Sequence, residues 1–131
     1  MKIILDASAA VDLALDGKHE ERLARVLADA SARLAPEILL PEVANALWKY
    51  HRFEGLEETT CHRALELAAG LIDGLVSNAE LAQEALSLSI AARIPVYDMF
   101  YLALARREDA TLLTLDRALA KEAVRQGVRV A

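Results

Sequence analysis

The sequence predicts a three-layer α/β fold in which helices flank a central, short-stranded parallel sheet, and three observations carry that reading. Brief apolar runs alternate with longer helical stretches. Two of those runs, "KIILD" and "TLLTLD", close on an aspartate, and "DMFYLALARRE" is apolar on every side of the helical wheel. Alternation of short strands and helices implies right-handed βαβ units and a parallel sheet. A helix apolar all round belongs in the middle of a fold rather than on its surface.

Taken in order, "KIILD" is a strand by its apolar run, and Ser8 is the expected N-cap of a helix of small and apolar residues that stops near Asp16-Gly17. A charged amphipathic helix follows over roughly His19 to Ala32, then "RLA" as a brief strand before Pro36. "EILLPEVANALWKYHRF" reads as a helix ending near Gly55, with Pro41 tolerated in its first turn. Glu57 to Ile72 is helical and Leu75-Val76 a short strand, after which "SNAE" forms a capping box opening a helix from about Asn78 to Arg93. The buried helix of "DMFYLALARRE" leads to the strand "TLLTL". A last helix, "RALAKEAVRQG", stops at Gly127, and "VRV" closes the sheet as an edge strand.

A length of 131 residues with 55% apolar content is enough for one proper core, so a single domain over residues 1–131 is expected. The one cysteine, Cys61, forms no internal disulfide, and neither Cys61-His62 nor His19 and His51 has zinc-ligand spacing. Asp6 and Asp12 would interrupt the apolar region of a secretory signal, and no apolar run approaches the roughly 20 residues of a membrane helix. The expected location is the cytoplasm, with no membrane partner. A net charge of −5 argues mildly against generic nucleic-acid binding. Acids gathered in one pocket would raise that count without facing phosphates as bare charge.

Aspartate is a poor strand former, so its place at strand ends asks for a cause. Ligands of open α/β sheets bind at the carboxyl ends of the strands, where strand order reverses. Asp6 and Asp116 fall at such ends, and Asp98, closing "IPVYD", falls just before the buried helix. Each alone reads equally as a helix N-cap. The three together, with a fourth acid, read as a cluster. That acid is Glu42: at about 100° per residue, Glu42, Asn45, Lys49 and Arg52 share an arc of roughly 80°, opposite Leu39, Val43, Leu47 and Tyr50. Glu37 competes with it but precedes the helix. Two carboxylates about 4 Å apart repel by roughly 4 kcal/mol at an effective dielectric near 20, against a whole-domain stability of about 5–15 kcal/mol. Protonation or a cation must offset that repulsion, and oxygen ligands without cysteine or histidine suit Mg²⁺ or Mn²⁺ rather than zinc.

The blocks "KIILDASAAVD", "LLPEVANALWK", "IPVYDMFYLALA" and "TLLTLDRALA", in this order and at these separations, resemble the signature blocks of PIN domains, especially the VapC-type toxin ribonucleases. The resemblance implies a PIN-like sheet flanked by helices and an acidic cluster that binds Mg²⁺ or Mn²⁺ to cut RNA. Carried over residue by residue, the catalytic and metal-binding quartet is Asp6, Glu42, Asp98 and Asp116. Asp6 and Asp98 are assigned as direct ligands, with Glu42 and Asp116 acting through water or a second site. Ser8 and Thr114 match positions that often hold hydroxyls near the metal. The resemblance also implies a homodimer, a small antitoxin whose tail occupies the groove, and products ending in 5′-phosphate and 3′-hydroxyl.

RNA must also be gripped. Lys49 and Arg52 beside Glu42, with Arg106, Arg107, Arg117 and Lys121 after the later acids, would form a basic rim, although each alone reads as a solvated charge. Tyr50 and Phe53 are expected in core or dimer packing, with Trp48 left open to stack a base. Two rival readings compete with the nuclease. A phosphoaspartate enzyme or receiver-like domain would want a second Asp where Ser8 stands, or a late strand-end Lys where Asp116 stands. A non-catalytic interaction module would use its acids only to cap helices.

Overall fold

The computed structural model describes every residue from Met1 to Ala131. Its elements run β1 (Lys2–Leu5), α1 (Ala7–Ala14), α2 (Glu20–Ala28), β2 (Ala32–Pro36), α3 (Leu39–Glu54), α4 (Glu58–Gly70), β3 (Gly74–Val76), α5 (Asn78–Ala92), α6 (Val96–Glu108), β4 (Thr111–Leu113) and α7 (Arg117–Arg125). The four strands form one parallel sheet in the order β3-β2-β1-β4. The chain therefore steps outward from β1 to β2 to β3, then returns past both to pair β4 with the far side of β1. Right-handed crossovers in opposite directions place α1 to α4 on one face and α5 with α6 on the other. The reversal leaves a crevice at the carboxyl ends of β1 and β4.

Burial follows the sequence pattern closely in the centre. Ile3, Ile4 and Leu5 of β1 are fully buried, as are Leu112 and Leu113 of β4, because a parallel sheet covered on both faces needs apolar residues on both. In α6, Met99 and Tyr101 to Ala105 are all buried, and the helix packs on β1, β2, β4, α5 and α7. One cluster of 30 buried apolar residues reaches from Ile3 to Val128, so the layers share a single core.

Several boundaries differ from the sequence reading for local reasons. The N-cap of α1 is Asp6, not Ser8, because the Asp6 side chain reaches the free Ala9 amide. The second helix stops at Ala28, freeing Ala32–Pro36 to pair with β1. Gly17 is required where the chain turns between α1 and α2: a Cβ there would stand 2.4 Å from the Asp12 carboxylate, which accepts from the His19 amide at 3.2 Å. Only half of the expected capping box forms. Ser77 caps the Ala79 amide, but Glu80 faces Arg107, and Glu37 takes the Asn78 amide at 3.0 Å. Asn78 Oδ1 in turn accepts from the Ile38 amide at 3.1 Å, so Glu37 and Asn78 brace the start of α3 against the start of α5. The "VRV" tail makes a single bridge, Val130 to Leu112, rather than a strand. No single helix is long and apolar enough to cross a membrane.

Candidate active site

Asp6 follows the last residue of β1 in extended conformation and points its carboxylate back over the first turn of α1. One oxygen, Oδ1, accepts from the Ala9 amide at 3.0 Å and from the Ser8 hydroxyl at 2.7 Å. The other, Oδ2, accepts from the Thr114 hydroxyl just beyond β4. Each hydroxyl is itself fixed, Ser8 Oγ by the Leu115 amide at 2.9 Å and Thr114 Oγ1 by the Asp116 amide at 3.0 Å. Ser8 and Thr114 are thus committed to orienting Asp6. With 4% of its surface exposed, Asp6 has its pKa pushed up to about 6 by burial; the bonds from Thr114, Ala9 and Ser8 oppose the shift and the charge of Asp116 adds to it.

The other three acids surround that edge. Asp116 N-caps α7, accepting from the Leu119 amide at 3.0 Å. Asp98 lies in the first turn of α6, one step deeper than the sequence suggests, because the helix already begins at Val96. Its pKa is raised, first by burial, then by the charges of Asp116 and Glu42. Glu42 lies in the first turn of α3, and its Oε1 accepts from the Tyr101 hydroxyl at 2.5 Å. Electrostatic coupling therefore runs from Glu42 to Asp98, to Asp116, to Asp6.

Tyr101 is the residue the sequence reading missed. It is 1% exposed, and burial together with Glu42, Asp6 and Asp98 drives its pKa far above the usual phenol range, so its O–H remains a donor. Its signal was present in the spacing: Asp98 and Tyr101 are three residues apart and share one face of α6. An apolar helix face made the tyrosine read as filling.

None of the four carboxylates has a lysine or arginine partner, whereas Glu80, Glu84, Glu108, Asp109 and Glu122 are all ion-paired. Uncompensated hard-oxygen donors at a sheet switch point have the chemistry of a site for Mg²⁺ or Mn²⁺. No group of three His, Cys, Asp or Glu is already placed to hold an ion, with Glu42 turned to Tyr101.

A cleft of about 460 Å³ has a lining that includes Ala7, Ile38, Pro41, Glu42, Asn45, Lys49 and Tyr97. The Glu42-Asn45-Lys49 stripe thus faces one space. Arg52 leaves the stripe and stands 5.4 Å from the centre of the Phe53 ring. Arg106 and Arg107 are tied to Glu84 and Glu80 of α5 and do not form part of a free basic rim. Arg117 and Lys121 are exposed. Tyr50 and Phe53, expected in core or dimer packing, lie outside the core of the single chain at 40% and 70% exposure, and Trp48 meets Phe53 edge-on at 6.2 Å.

A parallel α/β domain with unpaired carboxylates gathered where its strand order reverses has the layout of a metal-assisted hydrolase site. The chain belongs to the PIN domain family, which it matches over residues 3–124. It is 35% identical over 124 residues to Ribonuclease VapC3 of Pyrobaculum aerophilum, an alignment covering 93% of this chain and 95% of that one. Among solved structures it is similar in fold to PAE2754 from Pyrobaculum aerophilum, with a TM-score of 0.77 at 21% identity, covering 99% of this chain and 89% of the other. VapC20 of Mycobacterium tuberculosis, a Sarcin-Ricin loop cleaving toxin, gives a TM-score of 0.68 at 16% identity, covering 91% and 93%.

Proposed function

We propose that this protein is a Mg²⁺- or Mn²⁺-dependent endoribonuclease, the toxin of a toxin-antitoxin pair, acting in the cytoplasm as a homodimer held in check by an antitoxin. The observation that carries the reading is the quartet Asp6, Glu42, Asp98 and Asp116, four acids without a cationic partner at the carboxyl edge of the sheet. The 35% identity to a ribonuclease supports it along nearly the whole chain.

Bound there, the divalent ion supplies Lewis acidity, lowering the pKa of water and offsetting charge on the phosphoryl oxygens. The chain's own residues prepare the place. Ser8, Thr114 and the Ala9 amide lock the Asp6 carboxylate so that it needs no reorganisation when an ion arrives. Asp98, whose pKa is raised first by burial and then by Asp116 and Glu42, would be the second direct ligand, with Asp116 and Glu42 completing the charge. In the hydrolysis a water oxygen bonds to phosphorus, the bond to the 3′ oxygen breaks, and that oxygen takes the proton, leaving a 5′-phosphate and a 3′-hydroxyl.

Neither rival reading gains from the structure. The phosphoaspartate reading wants a second Asp two residues after Asp6, and Ser8 stands there instead, donating to Asp6 Oδ1 at 2.7 Å. Asp6 and Asp116 do cap helices, yet Glu42 and Asp98 cap nothing. The test is to express the chain alone and map cleavage ends across total cellular RNA, with and without Mn²⁺, beside Asp98→Asn. Mn²⁺-dependent ends carrying 5′-phosphates, lost in the variant, are expected. Equal patterns from both proteins would refute the assignment.

A further inference from the structure

Tyr97 is 59% exposed although it sits in the first turn of α6, beside Asp98 and one turn before buried Tyr101. It belongs to the lining of the cleft beside the quartet, together with Ile38 and Pro41. A ring with an apolar wall in the same cleft is a seat for a flat, weakly polar group. The cleft adjoins the carboxylates through Ala7, the neighbour of Asp6, and through Glu42 itself. Along α3 it continues past Asn45, whose amide both donates and accepts, to Lys49, which has no ion-pair partner and lies about 10 Å from Glu42 by helix rise. Acid at one end, a cation at the other and an aromatic face beside them match a nucleotide whose phosphodiester lies over the quartet.

We infer that this cleft seats one unstacked base of single-stranded RNA beside the phosphodiester to be cut, with Tyr97 as stacking face, Asn45 at the base edge and Lys49 on a neighbouring phosphate. The inference rests on the ribonuclease reading for what the carboxylates do, and adds which form of RNA the site takes and what holds it. A duplex keeps its bases stacked inside, out of reach of the ring, so the cleft discriminates against paired RNA. Stacking is tolerant of base identity, so Tyr97 sets strandedness and grip while Asn45 contributes the sequence preference.

The experiment uses an oligoribonucleotide carrying one 2-aminopurine, whose fluorescence falls when it stacks. Binding is read in EDTA, and KM and kcat in Mn²⁺, for the wild type, Tyr97→Ala, Tyr97→Trp and Asn45→Ala. Quenching on binding is expected in the wild type and in Tyr97→Trp and lost in Tyr97→Ala, whose Kd and KM rise about tenfold while kcat stays within about threefold. Binding of a duplex of the same sequence should not depend on Tyr97. Equal Kd and KM in wild type and Tyr97→Ala, or a fall in kcat alone, would overturn the base seat while leaving the ribonuclease reading intact. Tyr97-dependent quenching by a wild type that cuts no RNA would do the reverse. If Tyr97→Ala binds RNA normally but fails to bind a protein partner, the base seat is likewise refuted.

Discussion

Replacing Asp6 by Asn should make the metal-free protein more stable at neutral pH while removing its activity. Asp6 ionises near pH 6 in the folded chain and near 3.8 when unfolded, because burial outweighs its hydrogen bonds. At ~1.36 kcal/mol per pH unit, ionising it inside the fold costs about 3 kcal/mol. The folded chain holds a proton that the unfolded chain has released between roughly pH 4 and 6. Stability therefore falls as pH rises through that window and levels off above it. Asparagine keeps the acceptor for Ala9 and carries no charge, so its curve should lack this fall. Urea unfolding in EDTA from pH 4.5 to 7.5, followed by circular dichroism, compares the two. The variant should lead by about 3 kcal/mol at pH 7.5 and by about 1 kcal/mol at pH 4.5. Mn²⁺ at 100 times its Kd should close that gap, since it stabilises the wild type by about 2.7 kcal/mol, and at 1,000 times its Kd, worth about 4.1 kcal/mol, the order should reverse. Parallel pH curves, with the variant lower throughout by the ~0.5–2 kcal/mol of a lost cap, would refute the reasoning.

Three other outcomes follow from the same geometry. Tyr101→Phe keeps the buried ring but strips Glu42 of its donor, so stability should drop by about 1–2 kcal/mol and Mn²⁺ affinity several-fold by calorimetry, with less effect of the substitution in a Glu42→Gln background. Thr114→Val removes the bond to Asp6 Oδ2 and leaves the Asp116 amide unpaired; titration followed by NMR should then find Asp6 ionising above pH 6. Gly17→Ala drives a Cβ against Asp12 and should lower the melting temperature by several degrees, with no change in Mn²⁺ affinity.

The sheet and the buried helix were legible because their signals are one-dimensional: apolar runs of strand length, and a helix with no polar side. The aspartates at strand ends were legible for the same reason, since position along a strand fixes which edge of the sheet a residue reaches. What escaped depended on side chains meeting across elements. Arg106 and Arg107 read as a rim for RNA until α5 supplied Glu84 and Glu80. Glu37 and Glu42 differ by five positions, and only the Asn78 amide shows which of them is a brace. Tyr101 was hidden by its own apolar surroundings, although three residues separate it from Asp98.

The hydrogen bond joining Thr114 to Asp6 spans almost the full polypeptide, and β4 reaches β1 only after the chain has travelled out to β3 and back. A growing chain on the ribosome cannot complete this edge until its last elements have emerged. Products truncated before β4 carry three of the four acids and lack Asp116 and the hydroxyl that fixes Asp6. Strand order alone thus makes the edge that carries Asp6 and Asp116 the last part of the sheet to be completed during synthesis.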